Sequence, residues 1–292
     1  MAREDFMRDQ MNPQILPDLS DYRFRDRGFS AQVFTDPGGV ALKLYDDRFE
    51  IDTAHFEYRV LAALKSRDLA CPQLIDAVQV GASWGFRYYW IEAEPLVDAL
   101  RNRPADINAM AVDFALLHTK VHAIAGFDGL PSQRDYYLSI LEIQTHLASA
   151  DRARLAVQLD KMPDMDRLCH GDFNPRNTLM DKTRGYAIDW QSAYCGHPLG
   201  DVAKTWVKLS FFVHHSDRTQ AQEKQLLQQF CRGYLAEYDR LVGLDAETLL
   251  HWIEIVAAVH SRSPEPPKRQ WYGHLIDLAR DQPADLRALV LG

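Results

Sequence analysis

The sequence contains no apolar run near the roughly 18 to 20 residues that a membrane-crossing helix requires. It also has no internal repeat and no low-complexity segment. Cysteine is scarce: Cys71, Cys169, Cys195 and Cys231 are the only four in 292 residues, and no CxxC or metal-type spacing relates them. Such scatter provides neither a disulfide framework nor a zinc site, so reduced, buried thiols in a cytoplasmic protein are expected. Positive charge is not in excess either. The formal net charge is −8, which argues against nucleic acid as the main partner and permits a cationic one. The opening stretch, MAREDFMRDQMNPQ, is polar and lacks an apolar h-region, so no signal peptide is expected there.

What remains is the composition of a soluble globular protein, 47% hydrophobic and 25% charged. The length suits one large domain or two modest ones. Acidity is spread along the chain: residues 1–94 carry 16 acidic and 11 basic side chains, residues 95–292 carry 25 and 22. Charge alone therefore does not mark out a site.

Strand patterns fill the first 95 residues. AQVFT (31–35) and VALKLY (40–45) flank Asp36-Pro37-Gly38-Gly39, a hairpin turn signal. TAHFEYRVLAALKSR (53–67) then sets Phe56, Val60, Leu61 and Leu64 at helical spacing. CPQLIDAVQVG and WGFRYYWIEA read as two more strands around Gly81–Gly85. The expectation is a small antiparallel sheet with one helix. From Pro95 the pattern turns helical, with amphipathic stretches at 107–124, 136–150, 223–241 and 246–262 and strand character only within 168–190. Two lobes, 1–94 and 95–292, with a cleft between them make an α+β protein.

Residues 169–190 read CHGDFNPRNTLMDKTRGYAIDW. They place His170, Asp172, Asn174 and Asn177 within eight residues and return through a short apolar stretch to Asp189. A hairpin centred on Thr183 pairs residues whose numbers sum to 366, which sets Asn177 opposite Asp189. Opposed residues on one sheet face hold their Cβ atoms about 4.5–5.5 Å apart. That separation suits a carboxylate and an amide oxygen sharing one hard cation such as Mg²⁺. Asp172, upstream on the loop, is left to orient an attacking hydroxyl, and phosphoryl transfer needs that combination. The plain alternative is an Asx-rich turn whose side chains bond their own backbone. Phosphoryl transfer also requires a cation for nucleotide phosphates. Lys43 is the only charge in VALKLY, and Glu57, 14 residues on, is placed to pair with it. The alternative is a strand lysine that snorkels to solvent.

HGDFNPRN followed by IDW resembles the catalytic and metal-binding loops of aminoglycoside phosphotransferases and choline kinase-like enzymes, small-molecule relatives of protein kinases. The resemblance spans most of the chain: a glycine-containing loop at RGFSAQVF, lysine in VALKLY, glutamate in HFEYRVL, a hinge at WIEAEP, then the signature. It implies a bilobal protein-kinase-like fold, with ATP and Mg²⁺ used to phosphorylate a hydroxyl on a small molecule such as an aminoglycoside, amino alcohol or sugar. By the same resemblance Asp172 is the catalytic base, and Asn177 and Asp189 are the metal ligands. Lys43, oriented by Glu57, holds ATP phosphates. The backbone of Ser30 and Ala31 meets a phosphate, and that of Glu92, Ala93 and Glu94 meets the adenine. Two departures stand out. The phosphate loop has one glycine, Gly28, where protein kinases carry three. Arg176 occupies a position where the family commonly has glycine, and approach to the transferred phosphate or structural pairing are both open to it.

Three rival functions fit less well. A protein kinase would read HRD rather than HGD and DFG rather than IDW, and would carry an APE-like segment. A nucleotide-binding pseudokinase or regulatory module would have lost one of Lys43, Glu57, Asp172, Asn177 or Asp189. A metal-dependent hydrolase built on His170, Asp172 and Asp189 would leave Lys43 without a task.

Smaller signals receive structural readings. His170 is expected to bond neighbouring backbone, and Asp201 to cap or stabilise the first turn of a helix. His118 and His122 have zinc-compatible spacing but no third ligand, so ordinary helix-face residues are expected. His214-His215 reads as a solvated helix end. Trp206, Phe211, Phe212, Trp252, Trp271 and Tyr272 read as core, with some available to line an acceptor pocket. PEPPKRQW (264–271) reads as a surface linker rather than a cover for the cleft.

Overall fold

The computed structural model describes residues 13–46, 51–215 and 221–292. The polar N-terminal stretch discussed above falls mainly outside the described residues, as does the side chain of His215. The chain divides into two compact units. One runs to Ala93 and takes in Ile188–Gln191; the other comprises Glu94–Ala187 and Ser192–Gly292. The short segment carrying Asp189 thus belongs with the front unit, although it lies in the second half of the sequence.

The front unit is a six-stranded sheet in the order β1-β5-β6-β4-β3-β2 with one helix. Its strands are β1 (Gln14–Leu16), β2 (Arg23–Arg27), β3 (Ala31–Thr35), β4 (Val40–Tyr45), β5 (Leu74–Val80) and β6 (Ser83–Tyr89), and α1 spans Ile51–Leu64. The four strands expected from sequence are joined antiparallel. The expected small antiparallel sheet is nevertheless corrected to a mixed one, because β1 pairs parallel with β5 and β2 is added beside β3. Neither extra strand has an apolar signature. β1 has three residues, and β2 reads RFRDR with every residue exposed, a charged edge that resists pairing with other chains.

Alternation along β4 decides which side chains meet the helix. Leu42 and Leu44 join Val78 in an apolar cluster under Leu16, Tyr22 and Phe34. Ala41, Lys43 and Tyr45 take the opposite face. The buried stripe of α1 is Ala54, Glu57, Val60, Leu61 and Leu64, so a glutamate occupies a core position of the helix.

The second unit is mainly helical. Its helices are α2 (Leu96–Asn102), α3 (Ile107–Ala123), α4 (Gln133–Ile143), α5 (Ser149–Lys161), α6 (Pro198–His215), α7 (Ala221–Val242), α8 (Ala246–His260), α9 (Pro266–Asp281) and α10 (Pro283–Leu291). The single helix expected at 136–150 is two: α4 stops at Ile143, and α5 starts at Ser149. Gln144 marks the break, its amide donating to the Ala258 carbonyl at 3.0 Å instead of facing solvent. PEPPKRQW is corrected as well, since Pro266 and Pro267 open α9, where missing N–H groups are tolerated. None of the described helices is long and apolar enough to cross a membrane.

Short strands frame the polar loop. β8 (Arg167–Cys169) pairs with β11 (Tyr194–Gly196), and β9 (Thr178–Met180) lies between β7 (Glu94–Pro95) and β10 (Gly185–Ala187). The expected hairpin register is off by one. Gly185 faces Met180 and Ala187 faces Thr178, so the paired numbers sum to 365 and the ladder ends before Asn177 and Asp189. The reason is the turn: Asp181 Oδ1 accepts from the N–H groups of Thr183 and Arg184, which leaves Gly185 as the first strand residue. A one-residue shift turns every side chain to the other face, so the opposition of Asn177 and Asp189 does not follow from this ladder.

Candidate active site

In the front unit, Lys43 is held between two carboxylates. Its Nζ donates to Glu57 Oε2 at 2.8 Å, to Glu57 Oε1 at 3.0 Å and to Asp189 Oδ1 at 2.7 Å. Burial disfavours the ammonium, but the two carboxylates outweigh it and hold its pKa above the usual lysine value. Glu57 is 2% exposed and also accepts from the Tyr45 hydroxyl and the Trp190 backbone N–H. Asp189 has a φ of 66°, the one positive φ outside glycine among the described residues. Gln191 donates to its Oδ1 at 2.5 Å. An aspartate in the left-handed region signals a position held for its side chain.

The other front-unit candidates are less open than the sequence suggested. Gly28 and Ala31 close a turn, with the Gly28 N–H on the Ala31 carbonyl at 2.9 Å. Ser30 is buried and donates its hydroxyl to Gln191 Oε1 at 3.0 Å. The Ala93 N–H is taken by the Ile91 carbonyl at 2.9 Å, and Glu94, which opens the second unit, accepts from Arg103 at 2.7 Å. The Glu92 side chain has no bonded partner among the described residues.

In the second unit, one face of α6 builds the polar loop. Asp201, Thr205 and Lys208 follow one another at helical spacing. Asp201 Oδ2 accepts the backbone N–H of His170 at 2.7 Å, and Oδ1 accepts that of Gly171 at 3.0 Å. Thr205 donates to the Phe173 carbonyl at 2.9 Å. Lys208 donates to Asp172 Oδ1. Asn177 reaches Asp172 from the other side, its Nδ2 donating to Oδ2 at 3.0 Å and to the backbone carbonyl at 2.9 Å. That use of the amide N–H groups leaves the carbonyl oxygen of Asn177 as its donor for a cation. His170 accepts the Asp172 N–H at Nδ1, 3.3 Å away, a backbone role as expected.

Asp201 does more than stabilise a helix start. It is fully buried, and His118 and His122 also face its Oδ2, at 3.2 and 3.3 Å. Their other ring nitrogens lie 2.8 Å from the hydroxyls of Tyr234 and Tyr238. The two histidines are thus buried network members rather than ordinary helix-face residues. Burial, reinforced by His122, pulls His118 down to about 3, so it is neutral. Burial alone would raise Asp201, but the bonds from His118 and His122 hold it well below the carboxylate range.

A cavity of about 790 Å³ opens at Asp172 within this unit. Apolar groups such as Leu100, Ile107 and Phe212 supply much of its wall, and Lys208, Lys268 and Arg176 border it. Of the aromatics read as core, Trp206, Trp252 and Trp271 are buried, while Phe211, Phe212 and Tyr272 face the cavity.

A model of the phosphotransferase enzyme family matches residues 21–244. The chain belongs to that family. No curated protein matches it significantly in sequence. Among solved structures, aminoglycoside phosphotransferase APH(4)-Ia, in a ternary complex with ADP and hygromycin B, is 17% identical with a TM-score of 0.58, covering 99% of this chain and 96% of that one. Amicoumacin kinase hAmiN, in complex with AMP-PNP, is 12% identical with a TM-score of 0.61, over 96% and 93%. A choline/ethanolamine kinase family protein from Mesorhizobium loti is 15% identical with a TM-score of 0.56, over 100% and 99%. The fold is therefore the protein-kinase-like one that the sequence resemblance implied.

Lys208, Thr205 and Lys268 carried no signal in the sequence analysis. One was available: the polar residues at 201, 205 and 208 follow one another at i, i+4 and i+7 along one side of α6.

Proposed function

We propose that this phosphotransferase moves the γ-phosphate of ATP to a hydroxyl of a small molecule. The observation that carries the reading is Lys43, a half-buried cation fixed between Glu57 and Asp189. A lysine so fixed has a set position and a permanent charge, which suits the phosphates of a nucleotide. The ADP and AMP-PNP in the two structural relatives agree with a nucleotide at this fold.

In this reading the nucleotide has Ser30 and Ala31 near its phosphates and the backbone of Glu92, Ala93 and Glu94 near its base. The second unit supplies the catalytic loop and the acceptor cavity. The acceptor oxygen bonds the γ-phosphorus, the bond from that phosphorus to the ADP oxygen breaks, and the hydroxyl proton passes to Asp172. Lys208 and Asn177 hold the two oxygens of Asp172, which fixes the direction in which it accepts. The oxygen donors of Asn177 and Asp189 fit Mg²⁺, a hard cation that prefers oxygen ligands. When bound, Mg²⁺ would neutralise charge on the phosphate oxygens. Aminoglycosides, amino alcohols and sugars are the acceptor classes to test, and a cytoplasmic enzyme needing neither nucleic acid nor membrane fits the sequence.

The test is ADP release from Mg·ATP across hydroxylated small molecules, alongside calorimetric binding of ATP. Acceptor-dependent release is expected. Absence of both release and nucleotide binding contradicts the reading.

A further inference from the structure

Cations outnumber carboxylates at the cavity, where Arg101, Arg176, Lys208 and Lys268 stand against Asp172 and Glu223. Lys204 and Lys208 stand one turn apart on α6, and Lys208 and Lys268 line the same cavity with Tyr272. Lys204 is 7% exposed, yet its ammonium meets no hydrogen-bond acceptor among the described residues. His260, at the end of α8, keeps a buried Nε2 that also lacks a partner. The charges act on one another. Burial first, then Lys204 and Lys208, push His260 well below its usual value, and burial with Lys268 draws Lys208 down to about 8.

The nearby carboxylates do not balance this group. Asp172 takes one N–H of Lys208, Glu265 holds Lys268 at 2.5 Å, Glu223 stands 3.8 Å from Arg101, and Asp201 acts on Lys204 only through its field. Partly desolvating an ammonium costs free energy that a bound anion would offset. A polycation entering here would meet the opposite of what it needs.

Resting on the phosphotransferase reading above, we propose that the acceptor carries an anionic group, a carboxylate or a phosphate, on a largely apolar body. Lys208 and Lys268, which line the cavity, receive the anion, Lys204 adds its charge from one turn back on α6, and the acceptor hydroxyl lies at Asp172. The apolar wall then covers the body of the molecule, as small-molecule pockets generally do. The cluster thereby selects against amine-bearing acceptors.

The experiment compares three probes with one body: hydroxymethylbenzoate, hydroxymethylbenzyl phosphate and hydroxymethylbenzylamine. Calorimetry measures their binding to the full chain with Mg·ADP, and transfer is measured with Mg·ATP. Both anions are expected to bind at least about tenfold tighter than the amine, which by affinity arithmetic corresponds to about 1.4 kcal/mol. The tighter of the two anions distinguishes a hydroxy acid from a phosphate ester. Lys204→Met and Lys268→Gln are expected to erase the preference while leaving ATP affinity within about twofold. The inference is overturned if the amine binds as well as the anions, if none binds, or if the substitutions weaken ATP and spare the charge preference. Charge-selective binding with neither phosphate transfer nor ATP binding would leave the anion site standing and remove the phosphotransferase reading instead.

Discussion

The carboxylate of Asp201 holds the backbone N–H of His170 at 2.7 Å. The same group accepts from Gly171 and faces the rings of His118 and His122, so the geometry of the polar loop depends on one buried anion. Removing it strands two N–H groups and both imidazoles. Asp201→Ala is expected to cost about 3–5 kcal/mol in urea unfolding. A loss under about 1 kcal/mol would show that the loop is fixed by something else.

Gly171 supports the same loop through its backbone. Its φ is +73°, and a Cβ there would stand 1.8 Å from the Ser192 carbonyl oxygen. Neither the torsion nor the space admits a side chain. Gly171→Ala is expected to lower stability by more than about 2 kcal/mol, checked by thermal unfolding. An unchanged midpoint would refute the close approach.

Lys43→Met removes the cation that Glu57 and Asp189 share. Loss of an electrostatic stabiliser of this kind lowers turnover about 10²–10³-fold. The variant also isolates Glu57, whose pKa burial already raises even though Lys43 opposes the rise. A carboxyl raised above its unfolded value binds more protons folded than unfolded, so stability falls as pH rises through that window. Urea midpoints of Lys43→Met are therefore expected to drop from acid toward neutral pH more steeply than those of the native chain. Parallel profiles would mean that Lys43 does not compensate Glu57.

Lys204 gives a pH dependence of opposite sign. Burial, opposed by Asp201, lowers it to about 8 from 10.5. Between those values the unfolded chain holds the proton and the folded chain does not, so stability rises with pH across the interval. The shift corresponds to a penalty on the order of 3 kcal/mol at neutral pH. Lys204→Met is accordingly expected to raise the urea midpoint at pH 7 and to flatten the rise above pH 8. A less stable variant would show that Lys204 is already partnered.

How far the sequence disclosed the molecule depended on the kind of signal. Lys43 and Glu57 were legible because a charge inside VALKLY and a glutamate on an amphipathic stretch both violate apolar patterning. Helices α3, α7 and α8 followed from periodicity. β2 did not, because an exposed edge strand rich in arginine carries no alternation of hydrophobicity. The hairpin register slipped because Asp181 closes a tighter turn than the glycine position implied, and one residue decides the facing pairs. Lys208 and Lys268 were hidden because their meeting depends on two helices that share no local pattern, and PEPPKRQW concealed a helix start behind its prolines. His118 and His122 likewise acquire their role only from Asp201, far along the chain.

The most direct test of the account is the rate of phosphate transfer from Mg·ATP to the acceptor, for the native chain and for Asp172→Asn. The asparagine keeps the shape of the side chain and loses its capacity to take a proton. General-base catalysis predicts a fall of about 10²–10⁴-fold with ATP binding retained. Equal rates in the two proteins would contradict the account.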